Sequence, residues 1–290
     1  MSRPITVHAL LCHSHVEMGI ACFGSMLRYS QQPLRLRIHD DGSLTEADME
    51  RLQACLPDVT FLLRRDADAV MAEVLRRSPA CVRYRQEHPL GLKLLDIAHF
   101  TEGDLVTFAD SDVLFLRPFS DLFALPDPET GALFMSDVQS AYSLKPLDSL
   151  KPGRVSLPQK VNTGLIVLRK SVYDLERIEW FLAQKQYDIK PYWREQTCFA
   201  MLAARGKGRL YDPHQILVVT PQAHRTAHVV AGHFVTDYRY LLKVWTDEAA
   251  SEPLDTTVTR IDTVAMRRFG TLAAAGVLMS RAVKRVVAGA

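Results

Sequence analysis

Leu105-Val-Thr-Phe-Ala-Asp-Ser-Asp-Val-Leu-Phe-Leu116 decides the reading of this chain. Leu105 to Ala109 is a short apolar run with β-branched and aromatic members, the pattern of a buried strand. Asp110 and Asp112 follow at once, and Val113 to Leu116 is apolar again. Carboxylates set between apolar runs are costly unless something pairs with them. A strand period of two sends Asp110 and Asp112 to one side and Ser111 to the other. Two hard oxygen donors at the carboxyl end of a buried strand suit Mg²⁺ or Mn²⁺. Open α/β sheets bind their ligands at that end.

The spacing alone says little, because Asp66-Ala-Asp68 repeats it in a charged, helix-like context with no strand running directly into it. That copy reads as a solvated surface, so context singles out Asp110 and Asp112.

Working outward, strands are expected over Ile5 to Cys12, Leu34 to Ile38 and Val59 to Leu63, with helices over 17–29, 45–56, 67–77 and through Leu92 to Ala98 between them. This alternation predicts an α/β fold: a mostly parallel central sheet with helices on both faces. Three strand ends stop at polar groups, His13/His15, Asp40/Asp41 and Asp110/Asp112, and a nucleotide lying across them would meet all three. The second half is less regular. Strands are expected at 132–135, 164–168, 216–219 and 229–234, helices at 172–184 and 196–204, and a surface loop from Ser143 to Gln159. A C-terminal helix is expected from about Val258, with apolar Phe269 to Met279 between basic flanks.

The formal net charge of +2 argues against bulk nucleic-acid binding. It is unevenly placed: residues 256–290 carry +5 and the rest −3. Such a tail suits a peripheral contact with an anionic membrane. Five cysteines with no Cys-x-x-Cys, and no signal-peptide run, favour reduced thiols in the cytoplasm.

Three blocks in order resemble the GT-A type nucleotide-diphospho-sugar glycosyltransferases. Phe108-Ala-Asp-Ser-Asp-Val-Leu-Phe resembles their metal-binding Asp-x-Asp, and Val161-Asn-Thr-Gly-Leu-Ile-Val-Leu their Asn-x-Gly strand. Gly232-His-Phe, with Lys243-Val-Trp245 beyond it, is similar to the closing histidine and Lys-Pro-Trp of retaining members related to glycogenin and bacterial galactosyltransferases. The resemblance implies one GT-A domain over 1–250, with a nucleotide-binding half to about 120 and an acceptor half beyond, followed by the basic amphipathic tail over 251–290. It implies a hexosyl transfer from a nucleotide-sugar donor, uridine-linked, to a glycan or lipid-linked acceptor. Asp110, Asp112 and His233 would hold Mn²⁺ or Mg²⁺. His13, Asp40, Asp41, Lys93, Asp110 and Ser111 would contact the donor, and Glu195, Gln196 and Asn162 would serve the transferred sugar.

Plainer readings stand beside these. Asn162 and Gly164 can shape a turn, as can Asp40-Asp-Gly. Lys93 can be a solvated helix residue, and Glu195 can favour a helix start through the dipole alone. His224 and His228 compete with His233. A haloacid-dehalogenase-type phosphatase also begins on an apolar strand and Asp-x-Asp, but places them near the N-terminus and adds a late acidic motif. A non-catalytic nucleotide-sugar binder would share the fold and lack turnover.

Overall fold

In the computed structural model, residues 3–144, 155, 157–187, 190–251 and 256–268 are described. β1 (Ile5–Leu11) turns through His13–His15 into α1 (Val16–Tyr29), which buries Val16, Gly19, Cys22, Phe23 and Met26. β2 (Leu34–Asp40), α2 (Glu46–Cys55), β3 (Val59–Leu62) and α3 (Arg64–Val74) continue the alternation. Thr45 and Asp48 start α2 with a reciprocal capping box.

α4 (Pro79–Glu87) has no counterpart in the sequence reading. Its pattern is polar because it buries Arg85, which pairs with Asp96 and Asp68. The Glu179 carboxylate accepts from the Ala80 and Cys81 amides at its start. α5 (Leu90–Phe100) then runs so close to α4 that a Cβ at Gly91 would meet the Arg85 backbone at 2.6 Å.

β4 (Leu105–Ala109) and β5 (Val113–Phe115) flank the Asp pair. β6 (Phe119–Ser120), β7 (Ala132–Ser136) and β8 (Val161–Arg169) follow, then α6 (Leu175–Ala183) and α7 (Arg194–Arg205). β9 (Arg209–Tyr211), β10 (Ile216–Val218), β11 (Ala231–His233), α8 (Tyr240–Ser251), β12 (Thr259–Arg260) and β13 (Thr263–Ala265) complete the described chain.

Eight strands form the main sheet in the order β13-β9-β7-β8-β4-β1-β2-β3. It is mostly parallel as expected: β4-β1, β1-β2, β2-β3 and β7-β9 are parallel, while β8 runs against both β4 and β7, and β13 against β9. Helices cover both faces, and β8 shows it. Ile166 and Leu168 pack with residues of α4 to α7, whereas Leu165 and Val167 pack with those of α1 and α2. A strand buried on both faces reads as a continuous apolar run.

A second sheet, β10-β11-β5, stands beside the carboxyl end of β4. Its register places His233 opposite Val113, next to Asp112.

Two expectations are corrected. The tail from Val258 does not begin as a helix. Thr259–Arg260 and Thr263–Ala265 are strands, and β13 pairs with β9 of the main sheet, so the domain runs past residue 250. The cause is the β-branched Thr256-Thr-Val-Thr259 and Thr263-Val264, stiff at χ1 and suited to a pleated surface. The expected helix over Phe269 to Met279 lies outside the described residues. Nor is Ser143 to Gln159 simply a surface loop: Ser143, Leu144, Val155 and Leu157 are buried, while 145–154 and 156 lie outside the described residues.

Candidate active site

The chain leaves β4 with the Asp110 amide donating to the Gly164 carbonyl at 2.8 Å. Two residues on, the Asp112 carbonyl accepts from the Phe234 amide at 2.8 Å. These backbone bonds pin the Asp pair between β8 and β11. Asp110, Asp112 and His233 then offer ligand atoms that all lie within 4.8 Å of one another. His233 Nε2 is 3.1 Å from Asp112 Oδ1 and 3.8 Å from Asp110 Oδ2.

The Asn-Thr-Gly stretch of β8 is the seat of that histidine. A Cβ at position 164 would lie 2.5 Å from His233 Nδ1, so only glycine lets the ring approach. Asn162 Oδ1 accepts the Gly164 amide at 2.9 Å and faces His233 Nδ1 at 3.0 Å. Asn162 Nδ2 donates to Asp137 at 3.2 Å, which assigns the amide orientation. An amide oxygen opposite Nδ1 fixes Nδ1 as the protonated nitrogen and turns Nε2 to the carboxylates. Asn162, expected to hold a sugar hydroxyl, lines the cleft and also positions His233. Burial alone would lower the His233 pKa, but Asp112 and Asp110 hold it above the ordinary histidine value.

Lys93 is not a solvated helix residue. α5 is buried from Gly91 to Ala98, and the ammonium lies within it. Its Nζ donates to Asp110 at 3.0 and 3.1 Å and to Thr163 Oγ1 at 3.3 Å, and lies 3.5 Å from Glu195 Oε1. A buried ammonium persists only with such partners. Thr163 Oγ1 donates to Glu195 Oε2 at 3.1 Å, while Oε1 makes no hydrogen bond. Burial outweighs Lys93 and pushes Glu195 up to about 7. Gln196 is anchored by donation to the Ala141 carbonyl at 3.0 Å.

Arg239 was missed by the sequence reading. Its Nε and Nη2 donate to Asp112 Oδ2 at 3.0 and 2.7 Å, and Nη1 lies 3.0 Å from His15 Nε2. The available signal was slight: it is the one cation between His233 and Lys243. Burial works against ionised Asp112, yet His233 and Arg239 hold its carboxyl well below the usual range.

Asp110, Asp112, His233, Lys93, Glu195 and Arg239 all line one cleft of about 540 Å³, together with Asn162 and Gln196. His13, Asp40, Asp41 and Ser111 do not. His13 Nδ1 is 2.7 Å from Asp48, at the start of α2. Both Asp40 oxygens accept backbone amides, from Gly42, Leu44 and Arg64. Asp41 Oδ1 accepts from Ser43. These acids shape a turn, and Ser111 is buried. Asp68 is also more than a solvated acid, since it pairs with Arg64 and Arg85.

Among solved structures, the chain superposes on apo mouse xyloside xylosyltransferase 1 with a TM-score of 0.58 at 10% identity, covering 82% of this chain and 99% of that one. The galactosyltransferase LgtC, in complex with donor and acceptor sugar analogs, gives 0.58 at 14% identity, covering 87% and 97%. The apo glycosyltransferase GlyE of Streptococcus pneumoniae gives 0.52 at 11% identity, covering 86% and 61%. The chain has the GT-A fold. No family model matches it, and no curated protein matches it.

At this identity the GT-A fold is what the likeness carries, and the chemistry rests on the residues. Two carboxylates and an imidazole held through its other nitrogen fit a divalent cation with mixed oxygen and nitrogen ligands. The phosphatase alternative is not favoured: its motif belongs on another fold, and here a histidine closes the Asp pair. No helix among the described residues is long and apolar enough to cross a membrane.

Proposed function

We propose that this chain is a metal-dependent glycosyltransferase moving a hexose from a nucleotide-diphospho-sugar, uridine-linked, to a glycan or lipid-linked acceptor. The observation that carries the reading is the convergence of Asp110, Asp112 and His233, with Asn162 and Gly164 built to seat the histidine. Asp110, Asp112 and His233 would hold Mn²⁺ or Mg²⁺. Bound there, the ion would neutralise charge growing on the departing diphosphate.

The chain's own residues supply the rest. Lys93 holds Asp110 and Glu195 in place from beneath the cleft. Glu195, buried beside Lys93 with an oxygen that makes no hydrogen bond, can receive a sugar hydroxyl. Gln196 follows it on the same wall. Arg239 stands over Asp112 as a planar, two-pronged cation suited to phosphate oxygens. The retaining outcome rests on the resemblance of Gly232-His-Phe and Lys243-Val-Trp245 to retaining members. A peripheral site of action at the inner face of the cell membrane, reached through the basic tail, belongs to the same proposal.

The test is release of free sugar and nucleoside diphosphate from a panel of nucleotide sugars, with Mn²⁺, Mg²⁺ or chelator. Donor hydrolysis needs no known acceptor. Metal-dependent release from a uridine-linked donor is expected, and the configuration of the first sugar released reports retention. Binding of donor without release under every condition would favour the non-catalytic binder.

A further inference from the structure

Both oxygens of Asp112 face nitrogen. Oδ2 accepts two donors of the Arg239 guanidinium, at 2.7 and 3.0 Å, and Oδ1 lies 3.1 Å from His233 Nε2. The Asp112 side chain is 6% exposed, while the Arg239 side chain is 35% exposed. Lys93 stands on Asp110 in the same way, fully buried. A divalent cation seeking this cluster therefore meets a positive charge already bound to one of its ligands. Adding two charges with Arg239 and Lys93 in place leaves an excess of positive charge where the dielectric is low, which is costly. Lys93 is locked inside α5, so Arg239, on the turn before α8, is the cation that can leave. A diphosphate offers a guanidinium the same paired oxygens that a carboxylate does, and brings negative charge with it.

We propose that Arg239 is an exchange residue: its guanidinium holds Asp112 until the divalent cation and a nucleoside diphosphate arrive together, and then passes to the phosphates. The proposal rests on the metal reading of Asp110, Asp112 and His233. His15 is the second anchor of the holding position, since its Nε2 accepts from Arg239 Nη1. The consequence is a linkage: the cation and the nucleoside diphosphate tighten each other by one common factor. Arg239 is in this sense a positioning residue, acting on when Asp112 becomes available.

The test is Mn²⁺ binding to the full chain, read from the paramagnetic resonance signal of the free ion, with and without UDP and corrected for Mn²⁺–UDP in solution. Wild type, R239Q, R239K and D112N are compared. R239Q should bind Mn²⁺ alone at least about fivefold tighter than wild type, and should lose most of the tightening that UDP brings to wild type. R239K, which keeps the charge, should stay near wild type for Mn²⁺ alone. If R239Q binds Mn²⁺ no tighter than wild type while D112N abolishes binding, the exchange is overturned and the metal site stands. If no form binds Mn²⁺, or D112N binds as wild type does, the metal reading falls and the exchange with it.

Discussion

Gly164 and His233 meet so closely that a single methyl group would separate them: a Cβ on 164 would lie 2.5 Å from His233 Nδ1 and 2.7 Å from Cε1. The backbone at Gly164 is not left-handed, so the constraint is space alone. Gly164→Ala should therefore displace the ring, at a cost of about 1–3 kcal/mol for overpacking. Thermal denaturation together with Mn²⁺ binding checks it. Unchanged Mn²⁺ affinity in a folded Gly164→Ala chain would show that His233 is not a ligand.

Asn162→Ala removes the oxygen that orients His233 while leaving all three candidate ligands in place. Loss of such a partner typically weakens metal binding about 10–100-fold. The same Mn²⁺ titration reads it. An effect on the Michaelis constant for donor with Mn²⁺ affinity intact would return Asn162 to the sugar-contacting role expected from the sequence.

Glu195 gives a pH signature. Its folded pKa is raised to about 7 from 4.5, chiefly by burial, so the folded chain binds the proton more tightly than the unfolded one. Its contribution is then fully present below about 4.5 and is lost as pH rises through about 7. Glu195→Gln removes that loss. The melting temperature of Glu195→Gln relative to wild type should rise from pH 5 to pH 8, and a flat difference would contradict the raised pKa.

A second pH effect has the opposite sign and lies away from the cleft. His8 Nδ1 and His39 Nε2 are 2.8 Å apart between β1 and β2, and His8 Nε2 lies 3.3 Å from Thr101 Oγ1. The Thr101 hydroxyl donates to the Ile97 carbonyl, so the chain of donors runs inward and leaves buried His39 Nδ1 without a partner. Burial lowers both histidines, His8 to about 4. Each contributes stability present above its unfolded pKa of 6.5 and lost as pH falls through its folded value, about 4 for His8. His39→Gln should shallow the fall in melting temperature between pH 6.5 and 4.5. A fall as steep as in wild type would remove the pair as its source.

Much of the fold was legible because burial on both faces leaves continuous apolar runs, and Leu105 to Ala109 and Gly164 to Leu168 are such runs. The Asp pair was legible because it interrupts one. What was not legible depended on contacts distant in sequence. Arg239 reaches Asp112 across 127 residues. α4 looked polar because its Arg85 is buried on Asp96. Asp40 and Asp41 sit at a strand end, as a ligand site would require, but both oxygens of Asp40 and Oδ1 of Asp41 are engaged by the turn itself. Asn162 was found for its motif, but its contact with His233 was not legible, since only the tertiary fold brings the two together.

The most direct test of the central claim is donor hydrolysis by Asp112→Asn across a Mn²⁺ titration, with Asp66→Asn as control. Asp66 repeats the Asp-x-Asp spacing on an exposed helix, its nearest cation 3.8 Å away, so it should change the rate by less than about twofold. It is a cleaner control than Asp68, which is bound to two arginines. Loss of Asp112 should lower the rate about 10²–10³-fold, the usual scale for one electrostatic partner of the transition state. The Mn²⁺ dependence should shift to higher concentration with it. Hydrolysis by Asp112→Asn at the wild-type rate, with the wild-type Mn²⁺ dependence, would contradict the metal site and the transferase reading built on it.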